Sequence, residues 1–296
     1  MIFMAINQDL FKKEKIMTEC GTLYLCATPI GNLEDITFRV LRILKEVDLI
    51  AAEDTRNSIK LLNHFGIKTP MTSYHEFNKI DKAYQLAGKL KEGKNIALIT
   101  DAGTPGISDP GEDLVRICME EGIPVTSLPG AVACTTALTM SGQPTRRFVF
   151  EAFLPREKKE RAAVLEELKQ ETRTMVIYEA PHRLVRTLEE LYSLLGNRSI
   201  SVCKELTKRH ERIEKTTIEE LLHFYETTDP RGEYVLVIHG MDREALVEEK
   251  QKTWEAMTIE DHMSHYEKQG IDRKEAMKLV AKDRGVSKRD IYQALL

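Results

Sequence analysis

A single tryptophan and five cysteines in 296 residues remove several familiar designs at the outset. Cys20, Cys26, Cys118, Cys134 and Cys203 are scattered and form no CxxC pair, which argues against a disulfide framework and a thiolate metal cluster. No run approaches the roughly 18 apolar residues that a membrane span needs, so no membrane association is expected. An excess of either charge is also missing: 43 basic residues stand against 47 acidic, a net of −4. That balance excludes a histone-like or polybasic membrane binder. It leaves nucleic acid open, because local patches make phosphate contacts. The first strand lacks GxGxxG after it, and GxxxxGK[ST], HExxH and GxSxG are absent throughout, which removes the usual dinucleotide, P-loop, zincin and serine-hydrolase readings. His75 and Glu76 are adjacent without a third ligand, so no metal is expected.

What is present describes a globular protein, 42% hydrophobic and 30% charged, of a length that predicts two domains. Residues 1–20 read as an N-terminal extension. From Gly21 the pattern alternates. TLYLCAT is an apolar strand, and the next apolar positions, Ile36, Val40, Ile43, Leu44 and Val47, fall at helical spacing. DLIAAED and NIALIT are further strands, with helices over 79–92 and 112–121, a strand at PVTSL and a helix opening at PGAVACTTALTMSG. Continuous apolar strands between amphipathic helices predict a mostly parallel sheet covered on both faces. SGQPTRR breaks the pattern, which places a boundary between an α/β domain over 21–145 and a second over 146–240. The second round runs through FVFEAFLP, TMVIYEA, SISVCKEL and GEYVLVIHG. Residues 241–296 change character and predict a small helical region with helices over 255–268, 273–282 and 288–296. Gly285-Val286-Ser287 before the last helix is compatible with a helix-turn-helix arrangement, and Arg273 to Arg289 holds seven basic residues against two acidic.

The densest local feature is DAGTPGISDPG, Asp101 to Gly111, just past NIALIT, where ligands sit in parallel α/β sheets. Its glycines and prolines set an unusual backbone path, and Asp101 and Asp109 add carboxylates facing a ligand. The plainer reading makes Asp109 a cap for the helix that follows. Three more loops, TPIGN (28–32), LPGAVA (128–133) and YEAPHR (178–183), combine small residues with proline. Together they describe a crevice lined by backbone, suited to a flat and nearly neutral cofactor. KELTKRHERIEK (204–215) brings Lys204, Lys208, Arg209, His210 and Arg212 near the same crevice to grip phosphates, with His182 and Arg183 from the neighbouring loop. The competing reading is an exposed edge that neutralises itself.

The strings TPIGNLEDIT, AAEDTR, SYHEFN, TDAGTPGISDPG, SLPGAVA, SGQPT, YEAPHR, ELTKRHE and GEYVLVI, in this order over 21–240, resemble the tetrapyrrole (corrin/porphyrin) methylase superfamily. They are most similar to its branch that acts on ribosomal RNA. The resemblance implies two α/β domains of the tetrapyrrole methylase type with a cleft between them, S-adenosyl-L-methionine in the cleft, and a cytoplasmic homodimer. It implies methylation of a cytidine ribose 2′-hydroxyl in the decoding region of 16S ribosomal RNA, on the RNA or the small subunit. Carried across by motif, Pro29, Ala102, Gly103, Thr104, Ile107, Val132, Ala133, Tyr178, Glu179 and Leu206 would hold the cofactor, beside Asp101 of the same loop. The chain departs from the pattern where relatives have Gly for Ala152, Leu for Gln143 and His for Phe77.

Methyl transfer from a sulfonium asks mainly for alignment, plus an acceptor for the hydroxyl proton. Glu76, Asp109, Glu179, Glu205 and His210 are the candidate acceptors, while Lys204 and Lys208 would hold phosphates or stabilise a developing alkoxide. Two other readings stay open: a methylase of a small tetrapyrrole, and an RNA-binding assembly protein without important turnover.

Overall fold

A computed structural model describes residues 20–296. The N-terminal extension therefore lies, except for Cys20, outside the described residues. Strands β1 (Leu23–Cys26), β2 (Leu49–Ala52), β3 (Met71–Ser73), β4 (Ile96–Ile99) and β5 (Val125–Leu128) form one sheet in the order β3-β2-β4-β1-β5. Every pairing in it is parallel. β4 is buried at all four positions, as its unbroken apolar run requires. Helices α1 (Phe38–Glu46) and α2 (Thr55–His64) cover one face through Val40, Ile43, Leu44 and Leu62. Helices α3 (Lys79–Lys91) and α4 (Gly111–Glu120) cover the other through Leu86, Leu90, Leu114 and Ile117. The loops after neighbouring β1 and β4 thus leave toward opposite faces. That divergence opens a crevice at the carboxyl ends of the strands.

Helix α5 (Ala133–Met140) follows β5 but turns its apolar side elsewhere. Cys134, Ala137 and Leu138 cluster with Val176, Cys203, Val235 and Val237 of the second sheet. A helix expected within the first unit therefore packs on the second.

The second sheet consists of β6 (Phe148–Phe153), β7 (Thr174–Glu179), β8 (Ser199–Lys204), β9 (Arg212–Thr217) and β10 (Tyr234–Ile238), ordered β6-β7-β10-β8-β9. Here the expectation of mostly parallel strands gives way: β6 and β7 are parallel, and every other pairing is antiparallel. A short loop joins β8 to β9, which only an antiparallel pair permits. Helices α6 (Lys158–Lys169), α7 (Pro181–Leu195) and α8 (Ile218–Tyr225) cover the face away from α5. Proline opens α7, and a Thr217–Glu220 capping box opens α8.

Four helices complete the chain: α9 (Arg243–Glu255), α10 (Ile259–Glu267), α11 (Arg273–Asp283) and α12 (Lys288–Ala294). The helix expected over 255–268 is broken near Thr258, which caps α10 with its hydroxyl, and α9 precedes it.

Candidate active site

The loops after β1 and β4 are joined by a two-residue antiparallel bridge, Thr28 N–H to Gly103 O at 2.9 Å and Gly103 N–H to Thr28 O at 3.1 Å. Gly103 takes φ +89, a conformation open to glycine, and the turn it makes allows the bridge. Asp109 organises the rest of the β4 loop from inside. Its carboxylate accepts from the amides of Gly106 at 2.8 Å, Ile107 at 3.1 Å and Gly111 at 2.7 Å. Ser108 is thereby held at φ 65, backbone strain that the surrounding bonds maintain.

Between this loop and the second sheet lies a cavity of about 500 Å³. Ala102, Gly103, Thr104 and Ile107 form one wall, with Ile30, Val132 and Ala133 beside them; Tyr178, Glu179, His182 and Leu206 form the opposite one. The walls are tied directly, because the Tyr178 hydroxyl accepts from the Cys134 amide at 2.9 Å. They also approach closely at Gly31, where an added Cβ would lie 2.5 Å from Lys208 Cγ and 2.9 Å from Leu206 O. The Glu179 carboxylate is buried and spent within the protein. It accepts from Ala180 N–H at 2.9 Å and the Thr187 hydroxyl at 2.5 Å, with Arg183 Nε 3.3 Å away.

A crevice at a β1/β4 switch point, facing a second sheet of mixed direction, is a specific architecture. Residues 22–222 match the family described as Tetrapyrrole (Corrin/Porphyrin) Methylases. The chain belongs to the tetrapyrrole methylase family. Its chemistry is methyl transfer. The ribosomal RNA small subunit methyltransferase I of Halalkalibacterium halodurans is 52% identical to it, over 92% of this chain and 93% of its own. The protein of the same name from Bacillus subtilis is 47% identical, over 94% of each. Among solved structures, diphthine synthase aligns with a TM-score of 0.59 at 13% identity, covering 77% of this chain and 94% of its own. Uroporphyrin-III C-methyltransferase from Thermus thermophilus, complexed with S-adenosylhomocysteine, aligns at 0.52 with 18% identity, covering 74% and 97%. At those identities the likeness concerns the fold alone.

In this tetrapyrrole methylase fold, nine of the residues carried across by motif line the large cavity: Ala102, Gly103, Thr104, Ile107, Val132, Ala133, Tyr178, Glu179 and Leu206. Pro29 and Asp101 instead line a neighbouring space of about 350 Å³, with Asn57, Lys60, His64 and Thr100. There Glu53 accepts from the Thr100 hydroxyl at 2.5 Å, and Asn57 reaches Asp101 at 3.4 Å. Burial, opposed by the Asn57 bond and joined by the Glu53 and Asp54 charges, raises the Asp101 carboxyl.

The ELTKRHE loop sits on the rim. Glu205 at φ 52 and Thr207 at φ 63 both hold left-handed backbone. Lys208 Nζ is clasped between Glu205 at 3.0 Å and Glu233 at 2.9 Å. Burial would raise the Glu205 carboxyl, but the Glu233 amide and the Lys208 ammonium outweigh it, and the net shift is downward. Lys208 shifts up, since its two carboxylates outweigh its own burial. Lys204 lies 5.7 Å from the centre of the Tyr234 ring. Arg209, His210 and Arg212 are exposed, whereas Arg183 turns inward to donate to Leu154 O at 2.7 Å. Glu76 pairs with Lys79 at 2.9 Å and does not line the cavity.

Ile30 lines the cavity from the TPIGN loop, as expected, but the sequence did not point to Phe153, Cys203, Glu233, Tyr234 or Val235 as lining residues. Most lie on strands read only as core. Two strings held a legible signal: GEYVLVI carries Glu233, Tyr234 and Val235, and AAEDTR leads to Glu53, which bonds Thr100 beside the smaller space.

Proposed function

We propose that this methyltransferase transfers the methyl of S-adenosyl-L-methionine to a cytidine ribose 2′-hydroxyl in the decoding region of 16S ribosomal RNA. The observation that carries this reading is the large cavity, built from the motif loops and bordered at its rim by the ELTKRHE loop through Leu206. Ile30, Ile107, Val132, Leu206 and Val235 give apolar walls for a flat ring, and the loop backbones supply polar edges, which fits an adenosyl ligand. The cofactor supplies an already activated methyl group; the chain must align the hydroxyl with it and exclude water.

Of the five acceptors weighed from the sequence, Asp109 and Glu179 are committed to holding the loop and α7, and Glu76 to Lys79. Glu205 is committed through one oxygen, which accepts from the Glu233 amide at 2.9 Å and from Lys208, so its second oxygen and exposed His210 remain as acceptors on the rim. Lys208, neutralised by two carboxylates, fits a positioning role for Glu205. Arg209, His210 and Arg212 are the exposed groups suited to phosphates, with His182 at the cavity and Lys204 behind them.

Phe77 is 97% exposed, with Ile80 and Tyr84 exposed on the adjoining turns of α3, which supports a homodimer that covers them. Light scattering checks it. The substrate implies a cytoplasmic enzyme. Among the described residues no helix is long and apolar enough to cross a membrane.

The deciding experiment offers labelled cofactor with small subunits, or their RNA, from a strain lacking the gene. Label in 2′-O-methylcytidine is expected; label in a base, transfer only to a porphyrinoid, or no transfer overturns the proposal.

A further inference from the structure

The helical region over 241–296 lies beyond residue 222, where the family match ends. It has an apolar cluster of its own. Met263, Ala276, Val280, Ala281 and Ile291 are buried together, with Ile259, Tyr266, Ile271, Met277 and Leu295 around them. None of these residues belongs to the clusters beneath either sheet. The region therefore folds on a small core of its own rather than by packing on the sheets.

Helices α11 and α12 form a helix-turn-helix, with Gly285 at φ +64 in the turn. A polar network holds that turn. Buried His262 stacks on Trp254, with ring centres 4.0 Å apart, and its Nδ1 accepts from Arg284 Nε at 3.2 Å. Arg284 also donates to the carbonyls of Met257 and Thr258, and Asp283 accepts from the Tyr266 hydroxyl.

The other acidic groups of this pair of helices are also spent on it. Asp272 caps α11, Asp290 closes the capping box of α12, and Glu275 pairs with Lys278. Lys278 and Arg284 take part in these contacts, and the remaining basic groups form no ion pair among the described residues. Lys274 and Lys282 lie on one stripe of α11, and Lys288 and Arg289 start α12. Among the described residues no carboxylate lies within 4 Å of any of the four. One turn along α12 from Lys288 and Arg289, Tyr292 is 55% exposed. Unpaired cations flanking an exposed aromatic ring suit single-stranded RNA, whose phosphates take the charges and whose bases stack.

We propose that the α11–α12 face is a second RNA-binding surface, apart from the cleft. Lys274, Lys282, Lys288 and Arg289 meet phosphates, and Tyr292 stacks on an unpaired base. This rests on the reading of the substrate as ribosomal RNA. The region raises substrate affinity and leaves the transfer step untouched.

The test uses the full chain carrying Lys274→Glu, Lys282→Glu, Lys288→Glu and Arg289→Glu together, and separately Tyr292→Ala. The substrates are isolated small subunits and a naked 16S transcript. For the charge variant KM for both substrates rises at least tenfold with kcat and cofactor affinity unchanged, and the slope of log affinity against log salt falls by about 3. For Tyr292→Ala the affinity falls severalfold at an unchanged salt slope. Trp254, the single tryptophan, reports whether the region stays folded; if reversal unfolds it, the same four positions changed to Gln give the same reading. KM within twofold of the parent and an unaltered salt slope overturn the proposal. Loss of binding to subunits but not to the naked transcript also overturns it, in favour of a ribosomal protein as partner. A parent enzyme that methylates no RNA overturns the substrate reading instead, and filter binding of the transcript to parent and variant still decides the surface.

Discussion

Ala152 holds left-handed backbone, φ 49, at the bulge where β6 slips against β7. Such a conformation costs an L-residue about 1–2 kcal/mol, and glycine's extra chain entropy returns about 0.5–1 of it. Ala152→Gly is therefore expected to stabilise the protein by about 0.5–1 kcal/mol, read as a higher urea midpoint at unchanged slope. The glycine that the family resemblance leads one to expect there is explained by this backbone. Gln143, the second departure, is also accounted for: its amide donates to Ser199 at 3.1 Å and Ser201 at 3.3 Å within a buried site. Asp109 is the residue most easily misread. A carboxylate in a ligand loop invites a catalytic role, yet three amide bonds spend it on the loop itself. Asp109→Ala is expected to cost about 1–3 kcal/mol, from amides left unpaired. Cofactor affinity should fall with it, checked by calorimetric titration. An unchanged affinity would show that the loop keeps its shape without the carboxylate. The sequence showed which residues stand in the loop, and only the hydrogen-bond directions show which of them are already occupied.

The same distinction separates the elements that were legible from those that were not. β1, β2 and β4 announce themselves because a strand buried on both faces must be apolar throughout. β9 does not: RIEKTT has only exposed and half-buried positions at a sheet edge, so its charges read as a loop. β3 has three residues, too few to show a period. The packing of α5 on the second sheet depends on a surface assembled from β7, β8 and β10, which no local spacing encodes. One consequence is that the cavity's two walls, packed together through α5, also approach closely at Gly31. A methyl there would meet Lys208 Cγ and, less forgivingly, the Leu206 carbonyl. Gly31→Ala is expected to push the β1 and ELTKRHE loops apart, weakening cofactor binding about tenfold while thermal unfolding shifts only slightly. The rim also sets a pH response. Glu205's carboxyl is depressed, so its contribution to stability is complete above the unfolded value near 4.3 and is lost as pH falls through the lower folded value. Lys208 is raised, so its contribution is complete below about 10.4 and is lost only as pH rises through the higher folded value. Between these limits the clasp is constant. Glu205→Gln should shallow the acid limb of an unfolding curve and leave the alkaline limb's position to Lys208 and Glu233.

Across the whole molecule, the net charge of −4 conceals an uneven distribution. The α/β body holds many of its cations in ion pairs, whereas, among the described residues, the last two helices leave Lys274, Lys282, Lys288 and Arg289 without one and use their carboxylates for caps, the Lys278 pair and the Tyr266 bond. Function at that scale requires the helical region to fold on a small core, and a core of its size is marginal. Val280 is fully buried at its centre, between α10 and α12. Val280→Ala removes two methyl groups and leaves a cavity, a loss of about 1–3 kcal/mol. Because this core is separate from those beneath the sheets, the loss should stay local. Hydrogen exchange is expected to quicken in α10, α11 and α12, with Trp254 emission shifting to the red, while amides of β1, β4, β7 and β10 keep their protection. Uniform loss of protection would mean that the region and the sheets unfold as one unit. In the local case, methylation of subunits should fall through KM as the folded fraction of the region falls, and raising the RNA concentration should restore the rate, because the cleft that aligns the hydroxyl is intact.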